Sequence, residues 1–122
     1  MVPNDDIISR FCSAFERLDP DELIGYFAPD AVYHNIPMQP LTGHAAIRAF
    51  LADIPNQFHG LRFETLRQVA QGDMVMNERV DHFDLGDRNV SLPVAGIFEL
   101  RDGKIVAWRD YFDLATLERH LR

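Results

Sequence analysis

The second half of the chain constrains the fold most. Four stretches rich in β-branched and aromatic residues, Leu61 to Ala70, Met74 to Leu85, Val90 to Leu100 and Ile105 to Phe112, are separated by Gly72-Asp73, Gly86-Asp87 and Asp102-Gly103. Each separator suits a tight hairpin, because its glycine reaches positive φ without a steric cost. Short connections join neighbouring antiparallel strands, so the segment is predicted to be a meander. A sheet of this length must bury one face against something else.

The first half supplies the cover. Asn4 is positioned to cap a helix with Asp5 and Asp6 in its first turn and Ile7, Phe11, Phe15 and Leu18 on one face. Asp19-Pro20-Asp21-Glu22 is a cap followed by a first-turn proline, opening a short helix with Leu23, Ile24 and Phe27, which Pro29-Asp30 is expected to end. Ala31 to Met38 reads as a strand with Tyr33 and Asn35 on one side and His34 and Ile36 on the other, and Pro37 and Pro40 suggest an edge or a bend. After Gly43, the helical spacing of Ile47, Phe50, Leu51 and Ile54 predicts a third helix ending near Pro55-Asn56. Asp113 is a cap for a last short helix with Leu114, Leu117 and Leu121 on one side.

Helices followed by a curled meander describe an α+β domain in which three to four helices cover the concave face of a mixed, mainly antiparallel sheet. Residues 1–122 are expected to form one domain, since 122 residues with 47% hydrophobic content and nine Phe can supply both a core and a greasy cavity. A net charge of −7, with no block of Lys and Arg, argues against nucleic acid as a partner. The single Cys12 excludes an internal disulfide, and no leader-like segment or long apolar run suggests export or a membrane, so the cytoplasm is the expected location. Cys12 reads as a small apolar filler in an amphipathic stretch rather than as a nucleophile.

Two strand faces break the apolar pattern. Period-two alternation puts Arg79, Asp81 and Phe83 on one face, and Trp108, Asp110 and Phe112 on one face of the last strand. A carboxylate among such residues is costly inside unless it is paired and hydrogen-bonded. The planar fork of Arg79 can accept a carboxylate on each edge, so an Asp-Arg-Asp bridge across strands is reasonable. In a dry pocket, two carboxylates sharing a site push their pKa values apart, offering one acid and one base. Tyr33 and Asn35 add a hydroxyl and an amide able to hold a water. The spacing is equally compatible with a solvated Arg79–Asp81 strand pair and an Asp110 that merely precedes a turn.

The remaining candidates are weaker. The five histidines, at positions 34, 44, 59, 82 and 120, show no metal-ligand spacing, so neither a metal nor a cofactor is expected. His82 falls on the opposite face from Asp81, and His34 points away from Tyr33. Ser9 and Ser91 lack a recognisable His-and-acid pairing, and there is no nucleophile elbow. Met74, Met76, Val80 and Trp108 cannot all face one pocket.

Tyr33-His34-Asn35-Ile36-Pro37, Glu78-Arg79-Val80-Asp81, and Gly103-Lys104-Ile105 through Trp108-Arg109-Asp110-Tyr111-Phe112-Asp113 together resemble the limonene-1,2-epoxide hydrolase family, from about Asp30 to Leu117. That family sits in the wider superfamily of cone-shaped NTF2-like folds that includes ketosteroid isomerase. The resemblance implies that Asp110 is the base, Asp81 the acid, Arg79 their bridge, and Tyr33 and Asn35 the water-positioning pair. It implies addition of water to a small apolar epoxide in one concerted step, giving a vicinal diol. Face parity and the family's pocket together suggest a lining of Phe15, Ile54, Phe58, Phe83, Leu92, Val94 and Phe112. The wider superfamily implies a homodimer formed through the outer sheet face.

The chain begins later than this family leads one to expect, and the hairpin at Gly86 looks shorter, which implies a more open N-terminal side of the pocket. Two other functions fit the same fold. One is an isomerase or cyclase of the ketosteroid isomerase type, which needs one buried carboxylate and an oxyanion hole but no arginine bridge. The other is a pocket that binds an apolar small molecule without chemistry.

Overall fold

The computed structural model describes residues 2–120. Helix α1 (Asn4–Ala14), a single 3₁₀ turn (Phe15–Arg17) and helix α2 (Pro20–Ile24) precede strand β1 (Phe27–Asn35) and the short β2 (Leu41–Thr42). Helix α3 (His44–Gln57) leads into β3 (His59–Gln71), β4 (Met74–Leu85), β5 (Arg88–Arg101) and β6 (Lys104–Tyr111), and α4 (Leu114–Arg119) follows.

The six strands form one sheet in the order β2-β1-β6-β5-β4-β3. The meander is as predicted, and β1 joins its far edge by running parallel to β6. Irregular pairings between His59 and Arg62, between Thr65 and Arg67, and between Glu99 and Leu100 interrupt the ladder. Such bulges bend and twist long strands, which curls the sheet around its helices. The hairpin predictions rest on sound turn chemistry, since Gly72, Gly86 and Gly103 all have positive φ.

The local predictions fail where one residue has two uses. Asn4 lies inside the first turn of α1, the cap position is taken by Pro3, and the Asn4 amide instead donates to the carbonyl of Gly72 across the domain (3.0 Å). Helix α2 ends at Ile24, and Pro29 belongs to β1, within a stretch where pairing with β6 is irregular and a missing N–H is tolerated. As a result β1 begins before the predicted Ala31 and stops at Asn35 rather than Met38. Pro55 sits inside α3, which continues to Gln57 and closes with a bond from the Phe58 amide to the Ile54 carbonyl. Asp19 and Asp113 do cap their helices, accepting from the amides of Asp21 and Ala115. Leu121, expected on the apolar side of α4, lies outside the described residues.

The core lies between the concave face and α1, α2 and α3. Phe11 is its hub, fully buried, with ring centroids 5.1 Å from Phe15, 5.4 Å from Phe27 and 5.1 Å from Trp108. Edge-to-face packing of this kind adds to the area each ring removes from water. Truncating the hub leaves a cavity that its ring neighbours cannot collapse to fill, so Phe11→Ala is expected to cost about 3–5 kcal/mol, read as a lowered urea midpoint at unchanged slope.

Candidate active site

Strand register builds the centre. Asn35 of β1 lies opposite Asp110 of β6, Asp110 opposite Gly96 of β5, Gly96 opposite Asn77 of β4, and Asn77 opposite Gln68 of β3. One polar row therefore crosses five strands inside the concave face. Arg79 starts two residues along β4 and reaches back over Gly96 to meet Asp110, while Asp81 extends from the same strand.

The guanidinium is almost wholly buried, at 1% exposure, and so are Asp81 and Asp110. Its Nε and Nη2 donate to the two oxygens of Asp81, both at 3.0 Å, and Nη2 and Nη1 donate to Asp110 at 2.8 and 3.2 Å. This is the two-edged fork the sequence suggested, and it rules out a solvated surface pair. Its remaining N–H goes to Asn77 Oδ1 at 3.0 Å. Below it lies the Phe63 ring, 4.5 Å from the guanidinium carbon, adding a cation–π contact.

Burial works against the charge of Arg79, but the Asp110 and Asp81 carboxylates outweigh it and hold the guanidinium protonated beyond its usual range. Burial likewise pushes the Asp81 carboxyl up to about 6, opposed by its bonds to Arg79 and assisted by the nearby charge of Asp110. Asp110 accepts a third N–H, from Trp108 Nε1 at 2.7 Å. Trp108 is locked in place by stacking, 4.1 Å from Tyr33 at 9° and 5.4 Å from Phe98 at 18°. The Tyr33 hydroxyl accepts from the Asn35 amide at 3.1 Å. Burial, then the charge of Asp110, pushes the phenol above its ordinary range, so Tyr33 stays neutral.

These groups open into a cavity of about 380 Å³, within the range of small-molecule sites. All seven expected lining residues, Phe15, Ile54, Phe58, Phe83, Leu92, Val94 and Phe112, face it, together with Tyr33, Asn35, Asp81 and Asp110. Sequence reasoning missed Phe50, Phe63 and Met38, which also line it.

Three members of the centre went unrecognised. Asn77 continues the alternation of Arg79 and Asp81 and could have been found by extending that face. Gly96 interrupts a strand of bulky residues, a sign of close backbone approach. A Cβ there would lie 2.7 Å from Asn77 Oδ1 and 3.0 Å from Asp110 Oδ1, so only glycine leaves room for the bridge. Trp108 was placed on the face of Asp110, but its part in the centre, the indole N–H given to Asp110, was not foreseen. It is fully buried, while Met74 and Met76 are exposed.

Outside the site, His82 lies on the opposite face from Asp81 as expected, but Ser91 does have a His-and-acid pairing. Ser91 Oγ is 2.9 Å from His82 Nδ1, and His82 Nε2 is 2.8 Å from Glu64 Oε1. Cross-strand register brings these three residues together, and none of them lines the cavity. Cys12 is buried, and desolvation pushes its thiol up to about 12, which fits a filler and not a thiolate. Among the described residues, no helix is long and apolar enough to cross a membrane.

Comparison with known proteins agrees with this architecture. The chain is 31% identical over 114 residues to "Epoxide hydrolase EphG" of Mycobacterium tuberculosis, covering 93% of this chain and 76% of that one. The solved structure of an M. tuberculosis LEH-like epoxide hydrolase superposes with a TM-score of 0.84 at 29% identity, covering 95% of this chain and 86% of that one. A Catenulispora acidiphila protein described as having a ketosteroid isomerase-like fold shares the fold, with a TM-score of 0.83 at 21% identity, over 90% of this chain and 87% of that one. The family model for the limonene-1,2-epoxide hydrolase catalytic domain matches residues 3–122, and the chain belongs to that family.

Proposed function

We propose that this protein adds water to a small apolar epoxide, giving a vicinal diol, by general acid–base catalysis from the Asp81–Arg79–Asp110 bridge. The observation that carries the reading is the pairing of two buried carboxylates on one guanidinium at the edge of an apolar cavity. Acid and base must differ in protonation, and the raised value of Asp81 suits the proton-holding partner.

A water held by Asp110, Asn35 and Tyr33 loses a proton to Asp110 as its oxygen attacks an oxirane carbon. The carbon–oxygen bond on the attacked carbon breaks, and Asp81 gives its proton to the departing oxygen. Water and epoxide are thereby consumed to one diol, leaving Asp110 protonated and Asp81 ionised. Transfer of that proton back across the cluster restores the starting state. The polar atoms and the apolar lining divide the work: the first perform the proton transfers, and the second binds the hydrocarbon part and excludes bulk water. On the outer face, exposed Val69, Met74 and Met76 support the expectation of a homodimer.

Turnover of an epoxide panel in heavy-oxygen water tests the reading directly. Label should enter the diol, whereas binding without labelled diol would favour a carrier, and rearrangement without label an isomerase. Asp110→Asn is expected to lower kcat by about 10²–10⁴ with the fold retained by circular dichroism. Since the acid acts only while protonated, kcat/KM should fall as pH rises through about 6, the value to which burial pushes Asp81. Gly96→Ala should abolish turnover by forcing the Arg79 bridge apart, with the fold monitored in parallel.

A further inference from the structure

Arg79 carries five N–H bonds, and its neighbours supply five acceptor contacts. Four end on carboxylate oxygens. The fifth ends on Asn77 Oδ1, the one neutral acceptor. That amide is itself held in place: Asn77 is 5% exposed, and its Nδ2 donates to Gln68 Oε1 at 3.2 Å and lies 3.8 Å from Cys12 Sγ. Gln68 Nε2 in turn donates to the Asp5 carbonyl and to Ser9 Oγ of α1, both at 3.0 Å. Because Nδ2 is committed to these partners, Oδ1 is the atom left to face Arg79. A chain of amides therefore runs from α1 through β3 and β4 to the guanidinium.

The geometry points to Asn77 as a positioning residue: a neutral oxygen, anchored to α1 through Gln68, that occupies the last guanidinium donor and keeps Arg79 edge-on to both aspartates without adding a third negative charge. The inference rests on the epoxide-hydrolase reading, because edge-on presentation matters where two carboxylates must exchange roles. Neutrality matters for the same reason. With two aspartates and one arginine, the cluster carries one net negative charge when both acids ionise. A third carboxylate would deepen that charge and make Asp81 harder to ionise. The titratable groups that act on this cluster are Asp81 and Arg79 on β4, Asp110 on β6, Tyr33 on β1 and Cys12 on α1, with His82 acting on Asp81 from the other face of the sheet. Phe63 and Gln68 of β3 and Gly96 of β5 contribute no charge.

Two substitutions separate positioning from mere packing. Asn77→Leu removes the acceptor at similar volume, and Asn77→Asp keeps an oxygen for Nη1 but adds charge. With limonene-1,2-epoxide and cyclohexene oxide as probes, Asn77→Leu is expected to lower kcat about tenfold or more while KM stays within about twofold. Asn77→Asp is expected to recover most of kcat and to move the alkaline limb of the kcat/KM profile upward by about one pH unit. Equal impairment of both variants, with loss of thermal stability and an unmoved pH profile, would overturn the inference and leave Asn77 a structural residue.

A second measurement needs no turnover. The ¹³C carboxyl resonance of Asp81 is titrated in the unsubstituted protein and in Asn77→Asp. An upward shift of the midpoint supports the inference, and an unchanged midpoint overturns it. If the unsubstituted protein forms no diol from any epoxide while the Asp81 midpoint still moves, the proposed reaction fails, and with it the catalytic purpose of the positioning, while the electrostatic coupling of position 77 to Asp81 stands. If Asp110→Asn silences a working enzyme but both Asn77 variants match the unsubstituted protein, the positioning role alone fails.

Discussion

A charged guanidinium taken out of water has to find an acceptor for every N–H, and the structure is organised around meeting that demand for Arg79. Removing ions from water costs several kcal/mol each, and the mutual attraction of a buried pair offsets this only when the geometry is good and the remaining donors are matched. Two aspartates and one asparagine meet that condition on three sides of the fork. No buried side-chain nitrogen or oxygen among the described residues lacks a partner, so the polar centre is closed in hydrogen-bonding terms. Breaking such a cluster by deleting one partner typically costs about 3–5 kcal/mol, because the surviving charge is left buried alone.

That demand propagates outward. Arg79 reaches Asp110 only because β5 presents glycine where the two strands' side chains would otherwise be separated by a third. Asp110 is aimed by Trp108, and Trp108 is aimed by the rings of Tyr33 and Phe98 stacked on either side. Two residues along each strand from the polar row, a second cross-strand row runs through Val75, Phe98, Trp108 and Tyr33, each opposite the next. The two rows lie side by side on the same face, and Trp108 of the apolar row holds Asp110 of the polar row. Packing and electrostatics depend on the same pairing register, and a one-residue slip would send every member of both rows to the other face.

How far the residues could be read depended on the range of the interaction involved. Hairpin turns, the caps Asp19 and Asp113, and the apolar face of α3 are decided within a few residues, and the prediction matched the structure there. Helix α1 instead ends at Ala14 and buries Ile8, Phe11 and Cys12, while Phe15 falls in the 3₁₀ turn and Leu18 just after it. Asn4, Pro29 and Pro55 were misread because each obeys a distant partner or a relaxed stretch of ladder rather than its neighbours. The inward alternation of Arg79, Asp81 and Asp110, and that of Tyr33 and Asn35, was legible from period two, and the family resemblance added the roles it implies for them. The cavity lining beyond those expected residues, including Phe50 and Phe63, depends on how far the sheet curls, which no local pattern encodes.

By itself the sequence determined the order and type of the elements apart from the 3₁₀ turn and the two-residue β2, the face on which each charge lies, and the choice of residues able to share a proton. Those follow from chain geometry and short-range chemistry. Only the tertiary structure decided which of those residues meet. The parallel pairing of β1 with β6 sets Asn35 beside Asp110, the β4–β5–β6 register lays Asn77, Gly96 and Asp110 in one line, and the β3–β4–β5 register gathers Glu64, His82 and Ser91 on the outer face. Register is a property of strands far apart in the chain, set by how the whole sheet buries one face, and so it is invisible until the sheet is assembled.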